Sequence, residues 1–308
     1  RIVWLDVIRC VAMIMVIGVH CIDPFYISPT MRAIPEYTHW AAIYGSLLRP
    51  SVPLFVMMTG LLLLPVKKQP LGKFYKKRIY RVLFPFLIWS VLYSMFPWVT
   101  GVLGLPKEII GDFFCYTQGQ ESQSLIDSLK DVAMIPFNFS HKENHMWYIY
   151  LLIGLYLYMP FFSAWIENAD RKTKRAFLLI WIISLFIPYL KEYVANCLFE
   201  RSGYVFGTDT WNEFGLFYYF AGFNGYLLLG HYVKKGNDWS LMKTFILCIL
   251  MFAVGYHLYR VQHHSVKSQC DGNGDGTLLY LLQPQCATND FGYLLTITKG
   301  CHHQLYCH

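Results

Sequence analysis

Apolar stretches of about 20 residues recur along this chain, near 3–21, 41–65, 82–103, 146–165, 176–195, 214–233 and 243–260. Each is long enough to cross the hydrocarbon core of a bilayer as a helix. Lipid offers no partner to a backbone N–H or C=O, so such a segment must satisfy its own hydrogen bonds. The expected fold class is therefore all-α, a polytopic transmembrane helical bundle of about seven spans. The composition agrees: 55% of the 308 residues are hydrophobic and only 15% are charged. A soluble globular domain is excluded on that ground. The formal net charge of +7 reports orientation in such a chain, and no nucleic-acid partner is expected; the bilayer is the partner. The first residue is Arg1, so a preceding start is expected. No small-residue cleavage site follows His20, and no signal peptide is read there.

The loops set the orientation. Residues 67–81, KKQPLGKFYKKRIYR, carry seven Lys or Arg and no acid. Residues 166–175 hold Arg171, Lys172, Lys174 and Arg175, and the loop near 234 holds Lys234 and Lys235. These loops alternate with 22–40, 104–145 and 196–213, which are mixed in charge. The positive-inside rule makes the basic loops cytoplasmic, and the N-terminus with them. The first span then runs outward, with His20 toward the outer side. The loop 104–145 is long for a connector, and KEIIGDFFCY within it fits a segment lying flat at the interface or a plain outer cap.

Composition divides the chain into residues 1–260, an integral membrane domain, and residues 261–308, an atypical Cys/His-rich tail that reads either as an extracytoplasmic segment or as one not native to the preceding domain. The tail holds four of the nine Cys and five of the eleven His. Its DGNGDG resembles the start of a calcium loop, but the twelfth position from Asp271 is Leu282, where a bidentate Glu is needed. Cys301, His302, His303 and Cys307 are the one tight Cys/His cluster, without a Cys-x-x-Cys pair. No metal site is expected. Cys10, Cys21, Cys115, Cys197 and Cys248 read as small apolar core residues.

The first span, LDVIRCVAMIMVIGVH, carries ionisable groups that lipid rejects. An Arg at the centre of a spanning helix costs about 2.5–3.5 kcal/mol on insertion scales, and such residues usually face a bundle interior. Arg9 and His20 are eleven residues apart, which returns them to within about 20° of one helix face, roughly 16 Å along it. Asp6 lies three residues before Arg9, in place for an ion pair. The three form one polar stripe, expected to be buried against other helices. The bland reading has Arg9 snorkelling to one interface and His20 in the headgroups of the other.

The same stretch resembles the opening helix of the acyltransferase family 3 integral membrane proteins, whose signature is Arg-x10-His, here Arg9 and His20. SVPLFVMMTGLLLL resembles the family's second helix and its Phe-x-x-Ser-Gly end, with Thr59 standing for the Ser before Gly60. KKRIYRVLFPFLIW resembles its basic loop and third helix, with Arg78 and Arg81 as an Arg-x-x-Arg pair. HMWYIYLLIGLYLYMPFF resembles a His-Leu-Trp-Tyr-Leu segment. The four matches occur in order over residues 4–162; the likeness fades after about residue 255. The family usually has about ten spans, against seven read here.

The resemblance implies transfer of an acyl group, commonly acetyl from acetyl-CoA, to a hydroxyl of a carbohydrate or glycolipid on or beyond the outer side of a cell membrane, here a bacterial inner membrane. It implies no permanently bound cofactor; acetyl-CoA is the donor substrate. His20 is the candidate general base, or a transient acyl carrier, because imidazole is in part neutral near pH 7. Arg9 would orient the donor or stabilise negative charge. Arg78 and Arg81 would bind the phosphates of CoA, although topogenic charge alone explains a basic loop. His145, Trp147 and Tyr148 are acceptor-site candidates, where an aromatic belt is the alternative. Arg49 stands beside Pro50 and Pro53. Either it lies inside the membrane in a broken helix, or the span starts at Ser51 and Arg49 is interfacial. His231 and His257 read as structural. An anion transporter would use the same polar stripe and Pro-broken helices, but no inverted repeat is visible. An incomplete, inactive member acting as a scaffold is the third reading.

Overall fold

The computed structural model describes residues 3–27, 29–105, 123–137, 146–198, 205–209 and 212–234. Among these it is all-helical. In chain order the helices are α1 (Val3–Ile27), α2 (Pro29–Arg32), α3 (Pro35–Leu48), α4 (Ser51–Leu63), α5 (Leu71–Val102), α6 (Leu125–Met134), α7 (Trp147–Asn168), α8 (Arg171–Leu198) and α9 (Asn224–Lys234). Among the described residues, four segments are long and apolar enough to cross a membrane: Leu5–Asp23, Pro35–Leu63, Leu71–Val102 and Trp147–Asn168. The expected count of seven is not confirmed among the described residues. The segment at 176–195 is helical within α8, and 243–260 lies outside the described residues.

The expected span at 214–233 is not one helix. Gly215 and Gly222 have φ of 50° and 95°, a left-handed backbone that ends a right-handed helix and suits glycine. A 3-10 turn forms at Gly215–Phe217, and the α-helix begins only at Asn224. Hydropathy reports burial, and here it could not report this break.

The chain forms two compact units, residues 1–65 with 166–308, and residues 66–165. In the first unit α1 packs on α3 and α4. Leu5, Ala12, Met58 and Leu61 are buried together, with Ile8, Leu54 and Phe55 against them. Leu5, Ile8 and Ala12 follow helical spacing, so one face of α1 is turned to α4. α4 packs most extensively on α9. A Cβ at Gly60 would overlap the Leu227 carbonyl oxygen, and one at Gly230 would overlap that of Met57. Both glycines thus let two backbones approach closely, as small residues do between membrane helices. His231, 2% exposed, places Nδ1 3.1 Å from the Leu64 carbonyl oxygen just past the end of α4. A carbonyl only accepts, so Nδ1–H donates and satisfies a helix-end acceptor. That supports the structural reading of His231. α9 also meets α8, where Trp181 donates from Nε1 to the Gly222 carbonyl at 2.9 Å and sets its ring edge-on to Tyr226. At the start of α8 the Thr173 hydroxyl and amide hold the Asp170 carboxylate below its usual range.

In the second unit α5 begins eleven residues before the span expected at 82–103, so part of the basic loop is helix. At about 1.5 Å per residue its 32 residues outrun a hydrocarbon core of about 30 Å, and its basic first turns project from the apolar part. α5 and α7 run antiparallel. The Tyr75 hydroxyl donates to Leu157 O at 3.1 Å, and further along α5 Phe86 meets Tyr150 edge-on. The loop 104–145 carries α6, whose Ser124 cap accepts from the Asp127 amide at 3.2 Å. Ile126 and Leu129 are exposed on α6. Residues 107–116, expected to lie at the interface, are outside the described residues, as is the tail.

Topology gives a direct test. Cysteine replacing exposed Lys130 on α6 should react with an impermeant thiol reagent in intact cells, in a background without reactive native cysteines. Cysteine replacing exposed Gln69 should not. The reverse pattern would turn α1 around and place His20 on the cytoplasmic side.

Candidate active site

The polar stripe of α1 is held by two local side-chain contacts, an ion pair and a histidine–carboxylate hydrogen bond. Arg9 donates from Nη1 to Asp6 Oδ1 at 3.0 Å, the i,i+3 pair that the spacing predicts. At the other end of the helix His20 Nδ1 lies 3.0 Å from Asp23 Oδ2. The sequence reading passed over Asp23, although the same i,i+3 rule finds it. The side chains of Arg9 and Asp6 are 45% and 35% exposed, and those of His20 and Asp23 are 49% and 32% exposed. Burial of the stripe against other helices is thus not what the structure shows. The stripe borders the Leu5–Ile8–Ala12 face, and α1 turns that apolar face, not the charged one, into the core.

Arg49 lies where α3 ends and α4 begins, and only 8% of it is exposed. Two prolines cause the break. Pro50 cannot donate to the Ser46 carbonyl, nor Pro53 to that of Arg49. The Ser51 hydroxyl donates to the Arg49 carbonyl at 3.5 Å, a long contact that partly replaces the missing bond. Arg49 is therefore buried within a broken apolar segment, Pro35–Leu63. Its neighbour Leu48 packs on Gly18 of α1, two residues before His20. The fold thus brings Arg49 to the C-terminal half of α1, the half that carries His20.

The remaining candidates belong to the second unit. Arg78 is half-buried and Arg81 exposed on α5. Half-buried Tyr156 of α7 lies within range of the Arg78 and Arg81 charges, so α7 contributes a phenol near this basic end. Sequence reasoning missed Tyr156, because nothing local distinguishes it among the aromatic residues of YIYLLIGLYLY. Trp147 and Tyr148 are half-buried at the start of α7, ring centroids 5.9 Å apart and edge-on. His145 lies outside the described residues. Among the described residues no group of His, Cys, Asp or Glu is arranged to hold a metal ion.

These features sit in a chain whose residues 2–284 match the family described as an acyltransferase domain, acyltransferase family 3. The chain belongs to this family. It is accordingly a membrane acyltransferase in class, with helices long and apolar enough to span a bilayer. The family match runs past residue 261, into the part of distinct composition. No curated protein and no solved structure matches the chain. Within the family's pattern, Arg9 and His20 share one face of α1, and Gly60 of the Thr59-Gly60 pair has a packing role at the crossing with α9.

Proposed function

We propose that this acyltransferase moves an acetyl group from acetyl-CoA to a hydroxyl of a cell-envelope or exported carbohydrate, outside a bacterial inner membrane. The observation that carries the reading is the α1 stripe. A guanidinium and an imidazole share one face of a spanning helix, each joined to a carboxylate. In the reaction the acceptor oxygen bonds to the acetyl carbonyl carbon, and the carbon–sulfur bond to CoA breaks. His20 takes the hydroxyl proton and passes it to the departing CoA sulfur. Arg9 stabilises the negative charge that develops on the acetyl oxygen or on the donor. Arg78 and Arg81, in the loop assigned to the cytoplasm, bind the phosphates of CoA. Arg49, Trp147 and Tyr148, with His145, contribute to acceptor binding. The N-terminus is cytoplasmic in this scheme.

Membranes containing the protein should transfer label from acetyl-CoA, labelled in the acetyl group, to envelope glycan. Label that crosses the membrane without reaching an acceptor would replace the enzyme with a carrier.

A further inference from the structure

We infer that Asp23 is the positioning residue for His20, holding its ring so that Nε2 faces the acceptor. The inference rests on the catalytic role proposed for His20. The contact is 3.0 Å from Nδ1 to Oδ2. A carboxylate only accepts, so Nδ1 carries the proton in this pair. In neutral imidazole that leaves the lone pair on Nε2, the nitrogen farther from the backbone. A general base requires that tautomer, with the ring fixed against rotation.

Stability does not explain the carboxylate. With His20 and Asp23 side chains 49% and 32% exposed, the pair is of the kind that adds little to folding. Asp23 is also in the last two turns of α1, which has no basic residue in its final turn. The helix dipole disfavours an acid there. It closes the apolar segment Leu5–Asp23, where a carboxylate adds to the cost of insertion. A group placed against both preferences and bonded to the candidate base is suited to serve that base. The opposite end of the stripe repeats the device, with Asp6 one turn from Arg9.

The test uses membranes of the full chain at matched protein levels, labelled acetyl-CoA and envelope glycan from the host. Asp23→Asn should lower kcat at least about 10- to 100-fold, the order found when carboxylates that orient metal-bound histidines are removed, with the KM for acetyl-CoA within about twofold. Asp23→Glu, which keeps a carboxylate within reach, should restore most of the rate. The His20→Ala, Asp23→Asn double variant should be no slower than His20→Ala, because Asp23 acts through the imidazole. Wild-type kcat in Asp23→Asn, equal losses in Asn and Glu variants, or multiplied losses in the double variant would each overturn the assignment. Full activity in His20→Ala would instead remove the catalytic reading of His20, and this inference with it.

Discussion

His20→Ala is expected to abolish most acyl transfer while leaving the amount of protein in the membrane unchanged. General-base assistance is typically worth about 10² to 10⁴ in rate, or about 2.7–5.5 kcal/mol of barrier. A covalent acyl-histidine role would cost more. The loss should fall on turnover, because the side chain is 49% exposed and its removal opens no cavity in the Leu5–Ala12–Met58–Leu61 cluster. Arg9→Lys makes the comparison sharper. Lysine keeps the charge and can still reach Asp6, but it loses the planar fork of guanidinium. If Arg9 serves the chemistry, turnover falls in Arg9→Lys as well. If Arg9 only anchors α1 at an interface, lysine will serve equally. Acyl transfer in membranes at matched expression reads both variants. Turnover near wild type in His20→Ala would end the catalytic account of α1.

Gly60→Ala and Gly230→Ala are expected to destabilise the first unit. In most exposed helices Gly→Ala stabilises by about 0.5–1 kcal/mol. At these two positions the new methyl would overlap backbone carbonyl oxygens of Leu227 and Met57. Backbone cannot swing aside as a side-chain tip can, so α4 and α9 must separate. Overpacking of this kind usually costs about 1–3 kcal/mol. The His231–Leu64 hydrogen bond would stretch with the separation and add to the loss. Thermal unfolding in detergent should show a lower midpoint by about 2–4 °C for each kcal/mol. Gly154→Ala is the control: nothing lies within 4 Å of a Cβ there, so its midpoint should hold or rise. Equal midpoints for all three variants would mean that the α4–α9 crossing is looser than described.

Features carried by local rules were legible in the sequence. Apolar run length alone set the helical membrane class, because a bilayer leaves the backbone no other solution in a single segment. The eleven-residue spacing put Arg9 and His20 on one face, and i,i+3 spacing paired Asp6 with Arg9. The same rule pairs Asp23 with His20; treating the stripe as ending at His20 left it out. Pro50 and Pro53 announced the break between α3 and α4. Ordered motifs identified the family, although similarity of this kind assigns no substrate.

Other features depended on which helix faces which. The burial of Arg49 could not be read from the break itself; packing around the break decided it. The exposure of the α1 stripe was decided the same way, by α4 taking the neighbouring apolar face. Tyr156 gained its meaning from the antiparallel α5, and Gly60 from the backbone of Leu227. His231 reaches an acceptor 167 residues away. Helical periodicity fixes the angle of a residue about its own axis, but not the partner on that side. That partner is chosen by close packing among all the helices at once, and no window of sequence contains it.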